Sequence, residues 1–162
     1  MDILTEKGQE TLRHEQRAME LWLSKFPQHS YIQTPKDKPA IIDAIISVDN
    51  VVTAVVETKC RDYTLQEFQK KFKSEWMVTH EKLIKSSHIA SGLCVPFIGL
   101  LYLVPDDILL RRTLWKPDVG FVCTMYIRTI WTQASVNGGK ALRSNAFIDM
   151  RDAKQIIGDR HG

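Results

Sequence analysis

Apolar and polar positions along the chain change period several times, and each change marks an element. From residue 5 to residue 26, Leu12, Met19, Trp22 and Phe26 recur at intervals that place them on one helix face, and Pro27 ends the run. "YIQT" at 31–34 suits a short first strand. The period then collapses in "AIIDAIISVDNVVTAVVETKC", where apolar and β-branched residues crowd both parities, which predicts two strands joined by a turn at "VDN", residues 48–50. Strands that are apolar on both faces belong in the middle of a sheet covered on two sides. Residues 64 to about 91 return to helical spacing, with Leu65, Phe68, Phe72, Trp76 and Leu83 as the buried stripe and Lys70, Lys71 and Lys73 around the polar side. Thr64 and Glu67 have the spacing of a capping box at its start.

The apolar run at 94–104 predicts another buried strand. Beyond it, "PDDILLRR" reads as a short helix, "GFVCTMYIRTIWTQASV" as one long or bent strand, "NGGK" as a turn and "NAFIDM" as a closing strand. The expected class is α/β or α+β: a mixed central sheet flanked by helices, in the order α-β-β-β-α-β with C-terminal additions. No repeat, low-complexity tract or linker interrupts the 162 residues, so one domain is expected, with its core at about 5–104 and its additions at 105–162.

Composition narrows the classes. Apolar residues make up 44% and charged residues 25%, the balance of a globular chain rather than a disordered one, and the net charge of +3 is mild. Cys60, Cys94 and Cys123 are far apart and show no metal-ligand spacing, which argues against a structural zinc or a disulfide framework. The charged N-terminus lacks a signal-type apolar segment, and the longest apolar run is too short to span a bilayer. A cytoplasmic protein with no membrane partner is expected.

Three charges disturb the apolar strands. Glu57 and Lys59 point to one face of their strand and Thr58 to the other, while Asp43 stands among apolar neighbours in the preceding strand. A plain two-residue turn at Asp49-Asn50 would place Asp43 on the face opposite Glu57, whereas an odd loop or a bulge would bring both acids to one face. The odd loop or bulge is the expectation. Two carboxylates and a lysine inside an apolar sheet are costly to bury, and a hard divalent cation such as Mg²⁺ relieves the repulsion of the acids.

Asp43, followed fourteen residues later by Glu57-Thr58-Lys59 at the end of an apolar strand, resembles the signature of the PD-(D/E)xK nuclease superfamily, and residues 5 to about 104 follow that superfamily's order of elements. Ile42 stands where many members have proline. The resemblance implies a restriction-endonuclease-like core and Mg²⁺-dependent phosphodiester hydrolysis, usually of DNA, with Mn²⁺ as a substitute ion. It implies Asp43, Glu57 and the Thr58 carbonyl as metal ligands and Lys59 as the catalytic lysine. Glu15, on the apolar face of the first helix between Trp22 and Phe26, matches the first-helix glutamate of many members. Gln69 matches the glutamine that RecB-like members carry on the second helix, while Arg61, Lys73 and His80 are candidate phosphate contacts.

A nucleic-acid partner, most simply DNA, follows from this reading, and residues 105–162 are the expected place for substrate recognition or homo-oligomer contacts. The competing reading is a non-catalytic nucleic-acid-binding or assembly protein that keeps the fold. Cys60 falls on the strand face opposite Glu57 and reads as core, "NGGK" lacks the context of a phosphate-binding loop, and Lys140, Arg143 and Asn145 read first as solvated surface.

Overall fold

A computed structural model describes residues 5–36, 40–133 and 139–159. Helix α1 (Glu6–Lys25) is capped by Thr5, whose side chain accepts from the Gly8 N–H; its buried residues are Gly8, Ala18, Leu21 and Trp22, so of the predicted stripe only Trp22 is fully inside, while Leu12, Met19 and Phe26 are half-buried. Strand β1 (Ser30–Gln33) pairs with β2 (Ala44–Val48), which pairs with β3 (Val51–Arg61), all antiparallel. After the segment 62–92, strand β5 (Phe97–Leu103) lies parallel to β3. Strands β6 (Ile108–Lys116) and β10 (Lys154–Ile157) then extend the sheet, giving the order β1-β2-β3-β5-β6-β10, with the two-residue β7 (Gly120–Phe121) beside β6.

The sheet is therefore mixed and mostly antiparallel, and it is covered on both faces, as the two-sided apolar pattern of β2 and β3 requires. On one face Val56, Leu100, Tyr102 and Leu109 pack against Ala18, Leu21 and Trp22 of α1. On the other, Val55, Phe97, Leu101 and Leu103 pack against a second cluster that contains Phe68, Trp76, Leu83 and Ile148. Each large side chain removed from water in these layers contributes about 1.5–3 kcal/mol.

The segment 64–91 departs from the predicted long helix. It folds as a six-residue helix α2 (Leu65–Lys70), a strand β4 (Glu75–Thr79) and a helix α3 (His80–Gly92). The capping box of Thr64 and Glu67 is present, but it starts only the short α2. Lys73 and Ser74 take positive φ values of 53° and 58°, which no right-handed helix accommodates. The following Glu75–Thr79 alternates its burial, with Trp76 and Val78 inward, because it pairs with β9 (Lys140–Asp149). Long-range strand pairing has overridden a local helical pattern.

Strand β9 also pairs with β8 (Met125–Gln133), so β4, β9 and β8 make a second, three-stranded sheet. The predicted strand at 120–136 is thus two strands, β7 and β8, in different sheets over residues 120–133, and its last three residues lie outside the described residues. "PDDILLRR" forms a turn and the start of β6 rather than a helix, and the strand over "NAFIDM" is not the last, since β10 follows. In "NGGK", Asn137 and Gly138 lie outside the described residues, while Gly139 has a φ of 88° and Lys140 opens β9. No helix among the described residues is long and apolar enough to cross a membrane.

Candidate active site

The β2–β3 hairpin fixes the site through its register. Asp49 and Asn50, at φ values of 49° and 64°, form a two-residue turn between the paired Val48 and Val51. Both central residues lie in the left-handed region, which suits the twist of a tight hairpin and is tolerated by Asp and Asn. That turn alone would bring Asp43 opposite Val56. A bulge intervenes: Ser47 pairs with Val52 but Ile46 with Ala54, so Thr53 is an extra residue in β3. The pairing ends with Ala44 opposite Val56, and the next step brings Asp43 level with Glu57. The two acids share one face, by the bulge rather than by an odd loop.

Three lysines meet these acids. The Lys59 Nζ lies 2.8 Å from Glu57 Oε1 and 3.9 Å from Asp43 Oδ2. Lys82, from the first turn of α3, places its Nζ 2.7 Å from Glu57 Oε2 and 2.9 Å from Asp43 Oδ1. Lys36, in the β1–β2 connection, is 2.9 Å from Glu15 Oε2 and 4.0 Å from Asp43 Oδ1. Asp43 Oδ2 also accepts the Thr58 backbone N–H at 2.8 Å. A strand residue directs its N–H and C=O to the same edge, so the Thr58 carbonyl faces the side on which Asp43 stands. The Thr58 hydroxyl, on the other face, is 3.0 Å from the Tyr31 hydroxyl.

Burial and charge act differently on the two acids. Burial pushes the Glu57 carboxyl up, and the Asp43 charge adds to it; Lys59 and Lys82 oppose this without cancelling it, so Glu57 stays above the usual range. Asp43 is also raised by burial, but Lys59, Lys82, the Thr58 N–H and Lys36 together bring it below the usual range. Burial alone would lower the Lys59 ammonium, yet Glu57 and Asp43 outweigh it and hold Lys59 above its ordinary value. Cys60 sits on the face opposite Glu57, packed in the α1 layer, where burial pushes its thiol up to about 12. That excludes a thiolate nucleophile at neutral pH.

Glu57 is 0% exposed, and its two carboxylate oxygens are met by the ammonium groups of Lys59 and Lys82 at 2.8 and 2.7 Å. Two adjacent buried carboxylates are a donor set that a hard cation fits. Glu15 has no ion pair of its own with the site lysines Lys59 and Lys82; Lys36 bridges it to Asp43. Among the described residues no three His, Cys, Asp or Glu side chains converge closely enough to make a metal centre by themselves. A cation here would draw its third protein ligand from the backbone.

The remaining candidates are dispersed, because the helix expected to align them is broken. Gln69 is exposed on the short α2, Lys73 lies in the turn before β4, and Trp76 is buried in the second sheet. His80 opens α3, two residues before Lys82. Arg61, two positions beyond Lys59 on the same strand face, donates to the Cys60 carbonyl at 3.2 Å. Lys82, Lys36 and Tyr31 were not found from the sequence. A signal for Lys82 existed in principle: an α3 starting at His80 with Leu83 inward puts Lys82 on the flank of the buried face. Lys36 is distant from the motif and no spacing ties it to the site. No family model, no curated protein and no solved structure matches this chain.

Proposed function

We propose that this protein is a Mg²⁺-dependent nuclease that hydrolyses phosphodiester bonds, with DNA as the first substrate to test, on a restriction-endonuclease-like core. The observation that carries this reading is the bulge at Thr53, which brings Asp43 beside a fully buried Glu57. A fold without use for two adjacent acids would not be expected to hold them together at that cost. The run α1, β1, β2, β3, α3, β5, with β3 and β5 parallel, supports the superfamily reading, and α2 and β4 are then an insertion between β3 and α3.

In this reading Asp43, Glu57 and the Thr58 carbonyl would hold the ion, and Glu15 would act from the rim. When bound, Mg²⁺ would neutralise the two acids and stabilise the charge that develops on the phosphoryl oxygens. The chain's own groups do the rest. Three carboxylates (Glu15, Asp43, Glu57) face three ammonium groups (Lys36, Lys59, Lys82), a cluster with no net charge. With the carboxylates occupied by a dication, the lysines would be freed to bind phosphate oxygens, and a phosphodiester, with its single negative charge, would offset half of the added charge.

Lys59, charged at neutral pH, orients the attacking water and donates to the phosphoryl group rather than serving as a base in this state. Water adds to phosphorus and gives up a proton to solvent, the bond to the 3′ oxygen breaks, that oxygen takes up a proton from solvent, and a 3′-hydroxyl and a 5′-phosphate remain. A lysine cluster that already neutralises the acids also supports the second reading, a nucleic-acid-binding protein that needs no metal.

The experiment is cleavage of plasmid, single-stranded DNA and RNA with Mg²⁺ or Mn²⁺. Lys59→Ala and Asp43→Ala should each reduce cleavage by about 10²–10⁴-fold with an unchanged circular dichroism spectrum. If the wild-type chain cuts none of these substrates with either ion, and calorimetry detects no Mn²⁺ binding, the nuclease reading fails and the metal-free binder stands.

A further inference from the structure

Strands β8 and β9 continue past the body of the protein. The pairing of β4 with β9 stops at Thr79–Asn145, while β8 and β9 stay paired for five further residue pairs, from Thr129–Ser144 to Gln133–Lys140. Among the described residues no third strand covers this stretch, which at about 3.4 Å per residue projects about 17 Å as a two-stranded ribbon. A lone ribbon is marginally stable by itself, and this one exposes apolar groups instead of hiding them. Trp131 is 65% exposed and its cross-strand partner Leu142 is 56% exposed.

The charge is one-sided. Residues 119–148 contain no Asp or Glu, though the whole chain has 19, and their ionised side chains are Arg128, Lys140 and Arg143. Arg128 and Arg143 lie diagonally on one face of the ribbon; Lys140 is on the other, with Trp131 and Leu142. Arg128 stacks over the Tyr126 ring, 4.8 Å from its centroid. The root of the ribbon adjoins the candidate site. Thr79, opposite Asn145, is followed at once by α3, whose third residue, Lys82, reaches Asp43 and Glu57 less than one helical turn away.

We infer that the β8–β9 ribbon is a duplex-binding arm, which lies in a nucleic-acid groove with Arg128, Lys140 and Arg143 on the phosphates of its walls and so delivers the backbone to the Asp43–Glu57–Lys59 site. A two-stranded ribbon fits the major groove of a duplex, about 12 Å wide. A ribbon whose own ionised side chains are all basic complements a polyanion, whereas a second copy of the same ribbon would bring like charges together. The inference rests on the nuclease reading for its orientation, and its test separates the two.

The test is fluorescence anisotropy with a labelled DNA duplex in EDTA, where nothing is cut, repeated over a range of salt concentrations. Arg128→Ala/Arg143→Ala should weaken binding about tenfold or more and lower the log–log salt slope by about 2. Arg128→Lys/Arg143→Lys should restore the slope, and Trp131→Ala should weaken binding with the slope unchanged. Affinity and slope unchanged in the double alanine variant, in a chain with wild-type circular dichroism, overturn the inference. So does sedimentation that shows a dimer dissolved by Trp131→Ala without any change in DNA affinity. Ribbon-dependent binding in a chain that never cleaves supports the arm while removing the nuclease reading; cleavage and binding indifferent to the ribbon variants do the reverse.

Discussion

Asp43 and Glu57 stand side by side, yet the protein treats their charges in opposite ways. Asp43 gains more from its lysines and from the Thr58 N–H than it loses by burial, so its ionised form favours folding. Glu57 loses more by burial and by the neighbouring acid than Lys59 and Lys82 return, so its ionised form opposes folding. Linkage gives the signs. The Asp43 contribution is complete above the unfolded carboxylate value of 3.8 and fades as pH falls through the lower folded value. The Glu57 penalty is complete above its raised folded value and is relieved as pH falls through that value toward 4.5. At pH 7, Asp43→Asn should therefore destabilise the protein and Glu57→Gln should stabilise it, each by about 1 kcal/mol. Urea denaturation at pH 7 and at pH 4 checks this: the gain from Glu57→Gln should shrink at the lower pH. A loss of stability in Glu57→Gln at pH 7 would mean that the lysine clasp outweighs burial.

At the scale of elements, the join between the two sheets explains both the fold and the limits of reading it from the sequence. The hairpin and its acids were legible because strand parity is strict: one residue too many moves every side chain to the other face, and the demand for an odd loop or a bulge followed from Asp43 and Glu57 alone. Helix α1, β5 and the Thr64 cap were legible for the same kind of local reason. Strand β4 was not, because "EWMVT" is a strand only through its pairing with β9, some seventy residues later. Lys82 was lost with it, since its position depends on where α3 begins. One tight point of that join is Gly99, where a Cβ would strike the Trp76 ring and come within 3.0 Å of the Leu114 Cδ1. Trp76 and Leu114 are fully buried, so neither can swing out into solvent. Gly99→Ala should cost about 1–3 kcal/mol by overpacking; thermal unfolding followed by tryptophan fluorescence would show it, and an unchanged midpoint would mean that the sheets are not pressed together there.

Across the whole molecule, distant parts of the chain are tied together at one buried acid. Asp107, in the β5–β6 turn and 1% exposed, accepts two bonds from Arg17 of α1, at 3.0 and 2.6 Å, and one from the Tyr102 hydroxyl at 2.7 Å. Its carbonyl accepts the N–H of Gly158, just after β10, at 2.9 Å. This network fixes α1 against the sheet two residues from Glu15, so it also sets where Glu15 meets Lys36 at the rim of the candidate site. Removing the acid by Asp107→Ala leaves a guanidinium and a buried hydroxyl without this partner and should cost about 3 kcal/mol, the lower end for a broken buried pair because Arg17 keeps some contact with water. Gly158 is constrained by the same carboxylate: a Cβ there would overlap the Asp107 side chain and lie 2.8 Å from Arg17 Nη2. Gly158→Ala should then destabilise through the clash and not through any backbone preference. The two costs therefore share one cause and should not add. In a double-mutant cycle by urea denaturation, Asp107→Ala/Gly158→Ala should be little worse than Asp107→Ala, a coupling of about 1 kcal/mol or more. Simple additivity would show instead that Gly158 acts on the end of β10 alone and that the C-terminal strand is held independently of α1.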